Sequence, residues 1–385
     1  MPEPKLPESN LPEHKLPEHN LFDEANRQLV ICNACRYCEG FCPVFRAIET
    51  RRDFHQSDVF YLSNLCHDCR ACYYACMFTP PHEFAINIPT ILAEARMETY
   101  RRWSWPGFLA QSFKSRGITV ALAGAVAAVV MLLSLLLIPA DTLFSIHTGA
   151  GAFYAVVPYL VMVVGALVLF FYALAIWMRG GSRCWSETRG ILQQPGGGKA
   201  LARAAGAALG LRYLKGGGPG CPYPDERPSG VRRLYHSLTV WGFALDFLST
   251  TLAFIYQDFF HVLPPYSLGS APVIFGGAGG VALIVGAGGL IWLKLQSDEK
   301  PAATGAKHMD YVFLGTLGLV ALTGMLTLIL RATSALGIFL VLHLACVAAL
   351  FATAPYGKFV HFVYRTLALI RYEIEQSRLQ QSAGH

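Results

Sequence analysis

The sequence predicts an all-α protein in two parts, a small cysteine-rich helical module followed by a six-helix transmembrane bundle. Three observations predict it. The 385 residues are 54% hydrophobic and 15% charged, with a mean hydropathy of +0.39, which is too apolar for a soluble domain of this length. The apolar excess is confined to long runs after residue 116. Eight of the 11 cysteines fall in two runs of identical spacing between residues 32 and 76.

Residues 1–20 repeat Leu-Pro-Glu at Leu6, Leu11 and Leu16. Prolines and alternating charge cannot bury a core, so a disordered tail is expected, with His14 and His19 solvated. No apolar leader opens the chain, so no secretory signal is expected.

Residues 21–116 form the predicted cysteine module. Its runs are Cys32, Cys35, Cys38, Cys42 and then Cys66, Cys69, Cys72, Cys76. Each reads Cys-x2-Cys-x2-Cys-x3-Cys, the spacing that wraps three thiolates around one face of a [4Fe–4S] cube, with the fourth cysteine reaching to the other cube. Cys32, Cys35, Cys38 and Cys76 are therefore assigned to one cluster, and Cys66, Cys69, Cys72 and Cys42 to the other. The fold class becomes a helical two-[4Fe–4S] ferredoxin-like module before the membrane bundle. Zinc is the rival for paired Cys-x2-Cys units, but its pairs usually stand apart. A disulfide framework would need an oxidising compartment. Cys184, Cys221 and Cys346 are expected to be free thiols. Phe41, Phe45, Phe60, Tyr61, Tyr73 and Tyr74 are expected to shield the clusters, or simply to fill a small core. Ile88, Ile91, Leu92 and Ala95 share one face, predicting an amphipathic helix over 88–102. Trp103 and Trp105 then suit a membrane interface. His82 and Glu83 read as a surface turn.

Residues 117–370 carry six apolar spans, at 117–138, 153–178, 234–256, 271–293, 309–330 and 336–363, each reaching the ~20 residues that cross a bilayer. A final stretch, 371–385, reads as a tail. Basic residues crowd the 179–233 loop, whereas the loops 139–152, 257–270 and 331–335 offer only Arg331. The positive-inside rule then puts both termini and the cysteine module in the cytoplasm, beneath a cell inner membrane. The segment Gly277-Ala-Gly279-Gly280-Val-Ala282 imitates a dinucleotide fingerprint, but it lies inside a span with no strand before it. Gly276 and Gly280 more plausibly bring two helices close. Neither half offers a nucleic-acid-binding feature.

Histidines at membrane depth narrow the function. Two imidazoles on neighbouring helices at equal depth are the usual axial ligands of haem b, and His236 and His361 meet that condition. His308 is an alternative. His343 and His361 are 18 residues apart, five helical turns on one face and about 27 Å along a continuous helix. His343 is thus a candidate for a second haem, or for a hydrogen bond across helices without iron. His147, His261 and Met325 are weaker partners for it. Asp246 is an acid inside a span, read as a proton or quinone residue or as a plain hydrogen-bonding group.

The cysteine runs resemble one family, as do Thr79-Pro-Pro-His-Glu-Phe84, Leu234-Tyr235-His236 with Gly242-Phe243, and Pro355-Tyr-Gly-Lys-Phe-Val-His361. The family is that of tricarballylate-utilisation protein B, also called citrate-utilisation protein B, over residues 24–375. The resemblance implies a membrane protein with two [4Fe–4S] clusters and haem b. It would take electrons from an FAD-dependent tricarballylate dehydrogenase and deliver them to the quinone pool. The membrane half also resembles cytochrome b subunits of the nitrate reductase gamma and heterodisulfide reductase type, where two histidines on one helix serve two haems. Here Asp246 stands where the fourth histidine would be expected, which favours one haem on His236 and His361. The readings kept beside this are a subunit of another quinone-linked flavoprotein dehydrogenase or heterodisulfide reductase-like complex, a tricarboxylate transporter, and a redox sensor. A transporter would leave eight cysteines idle, and a sensor would need an output domain.

Overall fold

The protein is described here from a computed structural model covering residues 18–112, 116–188, 198–215, 218 and 220–383. The tail expected over 1–20 lies almost wholly outside these residues, as does part of the glycine-rich 179–233 loop.

The cysteine module is built on α1 (Glu18–Cys35), α2 (Pro43–Ile48), α3 (Gln56–Leu65), α4 (Ala71–Tyr74) and α5 (Ile88–Trp103). Cys42 is extended before α2, and Pro43 occupies its first turn, where a missing N–H is harmless. The Asn87 side chain accepts from Thr90 N at 3.3 Å to start α5. The expected apolar face of α5 is buried: Ile88, Ile91, Leu92 and Ala95 pack with Leu29, Val59, Leu62 and Leu65. Trp103 departs from the interface expectation. It is fully buried, with its ring 5.8 Å from Phe60 and 4.9 Å from Tyr364, and its Nε1 donates to Glu187 at 2.9 Å. Trp105 is the exposed one of the pair.

Behind the module come α6 (Gly107–Ser112), α7 (Arg116–Leu137), α8 (Ala140–Phe144), α9 (Ala152–Val156), α10 (Tyr159–Thr188) and α11 (Gly198–Leu209). They are followed by α12 (Val231–Asp258), α13 (Ala271–Leu295), α14 (Thr304–Ile329), α15 (Leu336–Thr353) and α16 (His361–Ala383). A short β1–β2 hairpin pairs Cys221 with Ser229. Among the described residues, α7, α10, α12, α13, α14 and α15 are long and apolar enough to cross a membrane. Leu132, Leu136, Leu160, Val164 and Val168 point outward, a surface that suits lipid and would be a liability in water.

Small residues set the tightest helix contact. A Cβ on Gly242 of α12 would meet Leu283 N at 2.8 Å and Gly279 O at 3.0 Å on α13. Those are backbone atoms, which cannot step aside. Gly286 and Gly279 are pressed against α12 in the same way, and Gly276 and Gly280 meet Ser249 and Met325. Gly242→Val is expected to destabilise the bundle by about 1–3 kcal/mol, as overpacked sites do. The check is a lower melting temperature for the detergent-solubilised protein.

The sixth span is shorter than the sequence reading. α15 stops at Thr353, a turn follows, and α16 starts afresh at His361. Pro355 has no N–H to continue the helix. His343 and His361 therefore sit on separate helices, and the five-turn spacing does not apply. Nor is 371–385 a plain tail. α16 runs back over the cysteine module, burying Ala368, Leu369 and Tyr372 in its core, with α11 laid alongside. Glu375 pairs with Arg51 at 2.6 Å and with Arg371 at 3.1 Å, Arg51 pairs with Asp58 at 2.8 Å, and Tyr61 donates to Glu375 at 3.0 Å. The chain thus ends as part of the module with which it begins.

Candidate cofactor sites

The two cysteine runs cross over in space. Cys32, Cys35, Cys38 and Cys76 line one cavity, and Cys42, Cys66 and Cys69 line a second, with Cys72 on the wall between them. The charge environment sorts the thiols in the same way. Burial, then Cys76, Cys38 and Cys35, push the Cys32 thiol up to about 12. Burial, then Cys69 and Cys66, raise Cys42. Such crowded thiols ionise only against positive centres.

The local backbone prepares both loops. Arg36, Asp68 and Arg70 adopt left-handed conformations, with φ of 56°, 53° and 66°, a backbone region that non-glycine residues seldom occupy. Asp68 N donates to Cys66 Sγ and Phe78 N to Cys76 Sγ, each at 3.4 Å. Amide hydrogen bonds to sulfur are a known lever on cluster potential. Among the described residues, no group of three His, Cys, Asp or Glu side chains is placed to hold one metal ion. A zinc site needs four ligands within about 2.3 Å of one point, whereas a cube takes its four thiolates on separate irons. The donor set fits the cube better.

The membrane histidines separate into a pair and a singleton. The rings of His236 (α12) and His361 (start of α16) stand 6.3 Å apart and perpendicular. Two imidazoles sharing one iron, with bonds of about 2 Å and ring centres about 1 Å behind each nitrogen, are separated by roughly 6 Å. His361 Nδ1 lies 2.6 Å from Lys358 O, which fixes a proton on Nδ1 and leaves Nε2 free to ligate. Among the described residues, His236 Nδ1 is buried without a hydrogen-bond partner. Phe243, Phe313 and Phe362 surround Phe359, and Phe313 also approaches the His361 ring at 6.4 Å. An imidazole pair in an aromatic, water-poor surround fits haem b.

His343 has a different setting. Its Nδ1 lies 3.2 Å from Thr323 Oγ1 on α14, and α14 comes close enough at Gly324 that a Cβ would touch the ring at 3.0 Å. This is the hydrogen bond across helices. Asp246 is half-buried against Gly279. Among the described residues its carboxylate has no hydrogen-bond partner. His147, between α8 and α9, bonds Thr142 O, and Met325 packs on Gly280.

Sequence reasoning missed a set of buried charges. Asp310 on α14 pairs with Lys294 at 2.5 Å and with Lys358 at 2.9 Å, so Asp246 is not the sole acid at depth. Lys358 lies in the turn that presents His361, so Asp310 anchors that turn. Asp310→Asn is expected to cost about 3–5 kcal/mol, because it strands two lysines. Thermal unfolding in detergent measures it, and an unchanged transition would contradict the pairing. Cys221 is a free thiol, as expected, but it is buried in one apolar cluster with Cys69, and its Sγ donates to Leu214 O at 2.9 Å. Arg232 and Arg365 were also missed, although each stands four residues from a paired histidine, which was a legible signal.

The comparisons with known proteins agree with this architecture. Residues 113–383 match the family described as Citrate utilization protein B, and residues 25–102 match the Citrate utilization protein B Fer4-like domain. The Escherichia coli protein "Citrate utilization protein B" is 40% identical over 361 residues, covering 93% of this chain and 94% of that protein. No solved structure matches. The Fer4-like domain carries an iron–sulfur electron-transfer role, and the six apolar helices make this a multi-pass membrane protein. On the whole-length match and both family descriptions, the chain belongs to the citrate utilization protein B family.

Proposed function

We propose that the chain is a membrane-anchored electron carrier. It would pass electrons from a partner FAD-dependent tricarballylate dehydrogenase, through two [4Fe–4S] clusters and one haem b, to the quinone pool. Cys32, Cys35, Cys38 and Cys76 would hold the first cluster, Cys66, Cys69, Cys72 and Cys42 the second, and His236 with His361 the haem. These groups, when bound, supply one-electron carriage between a two-electron flavin and a two-electron quinone.

The polypeptide does the rest. The first cavity opens at its rim, where Cys35, Tyr37 and Met77 are exposed, and this rim would receive the donor flavoprotein. Arg70 lines the second cavity and stacks 4.6 Å over the Tyr223 ring. Amide groups of the cysteine loops donate to the sulfurs, and aromatic side chains exclude water. Lys358 O holds the His361 proton at Nδ1. Asp246, ten residues beyond His236 on α12, is assigned to proton supply for the quinone. The basic residues of 179–233 favour a module on the cytoplasmic side of the inner membrane.

The observation that carries this reading is the 6.3 Å His236–His361 pair behind a crossed set of eight thiols. The test is the purified full chain. About eight irons in clusters, as two cubes require, should appear together with reduced-haem bands and electron flow from a reduced flavin donor to a quinone. Zinc in place of iron, or a colourless protein that moves citrate, would overturn it.

A further inference from the structure

Three arginines from three different helices reach one short loop. Arg96 of α5 donates to Ser63 O and Cys66 O, each at 2.7 Å. Arg365 of α16 donates to the same Cys66 O. Arg232 of α12 donates to Asp68 O and, at 3.3 Å, to His67 O. This loop carries the first ligand of the second cysteine run.

The positions of two of these arginines are paired with the histidines. Arg232 lies one helical turn before His236, and Arg365 one turn after His361, so each shares a face with its imidazole. Both helices therefore present a histidine at one level and, one turn away, an arginine on the cysteine loop. Among the described residues, Arg365 Nε is buried with no hydrogen-bond partner, as are His67 Nδ1 and Asp68 Oδ1. The Arg232 guanidinium also stacks 4.8 Å over the Tyr223 ring, with Arg70 at 4.6 Å on that ring. Asp68 is the acidic side chain of this loop, and three guanidiniums outnumber its single carboxylate, so the surplus positive charge favours an electron arriving on either side of the gap.

We propose that Arg232 and Arg365 are positioning residues that bridge the second cluster loop to the His236–His361 pair, and that their charges raise the reduction potentials of both centres. This inference rests on the electron-carrier reading above. It adds that the inward transfer is set by two fixed cations on the histidine-bearing helices. The exchange is one electron between two one-electron centres, with no proton and no third reactant.

The experiment uses the detergent-purified full chain as wild type, Arg365→Gln, Arg232→Gln and Arg365→Lys. Arg233→Gln is the control, because the Arg233 guanidinium bonds Gly210 O instead. Iron and haem contents test the underlying reading. Redox titrations of haem absorbance and of cluster paramagnetic signals test the bridge. The glutamine variants are expected to keep their iron and haem and to shift both reduction equilibria toward the oxidised form by tenfold or more, about 59 mV for one electron. Arg365→Lys should shift them less than threefold, and Arg233→Gln not at all. Full cofactor content with unmoved equilibria would overturn the bridge, whereas a wild type lacking iron or haem would overturn the electron-carrier reading instead. Should one glutamine variant fail to assemble, the other decides alone, and unmoved equilibria in it would overturn the proposal.

Discussion

His361→Ala is expected to abolish the proposed haem binding while leaving the iron–sulfur content near eight irons, the about four per cube that two cubes require. This is the expected result with the largest effect in the membrane half. His361 opens α16 directly after the 354–360 turn, and its ring faces His236 at 6.3 Å. Changing residues that merely support a ligand typically lowers metal affinity 10–100-fold, so removing an axial ligand should lower it further. His236→Ala should match it. The contrast is His343→Ala, whose ring bonds Thr323. That change should retain the full haem band and lose about 1 kcal/mol of stability, the net worth of one hydrogen bond. Pyridine haemochrome assay of the three variants decides. Full haem in His361→Ala would remove the pairing, and half-haem in His343→Ala would restore a second site.

How much of this could be read from the chain depended on distance along it. The cysteine spacing and the apolar runs are local signals, and the crossed cavities and six long helices agree with them. The turn after α15 was visible as Pro355 and Gly357, yet hydropathy carries on through Phe359, Val360, Phe362 and Val363. An apolar window therefore runs one span into the next helix. The error mattered, because it put His343 and His361 on one axis and made a second haem look natural. The return of α16 to the module was hidden for another reason. Arg51 and Glu375 lie 324 residues apart, and nothing in either segment names the other. The Asp310 triad likewise draws Lys294 and Lys358 from two other elements, so each charge looked interfacial when taken singly. By contrast, Arg232 and Arg365 were within reach. Their offset of four from a histidine is a helical repeat that could have been weighed.

The crossing of the two runs can be tested directly, and the outcome should be large. Cys42→Ala is expected to lose the second cluster, although Cys42 belongs to the first run, and Cys76→Ala the first cluster, although it belongs to the second. The reason is geometric: Cys42 shares its cavity with Cys66 and Cys69, and Cys76 shares its own with Cys32, Cys35 and Cys38. Iron should fall from about eight to about four per chain in each case. The amount alone does not identify the cube that is lost, but the remaining signal does. The paramagnetic spectrum left in Cys42→Ala should match that of Cys69→Ala, and the one left in Cys76→Ala should match that of Cys35→Ala. Matching within runs, Cys42→Ala with Cys35→Ala, would mean that each run closes its own cube. Cys72 is the internal check, because it stands on the wall between the cavities and its replacement should disturb both signals. The variants should remain folded enough to read. Structural metal binding can supply ~10 kcal/mol or more of folding free energy. Where α3 meets α16, Arg51, Glu375 and Arg371 are joined around Tyr61 through contacts that involve no cysteine. These helices should therefore survive the loss of one cube, and the cluster loops alone should loosen.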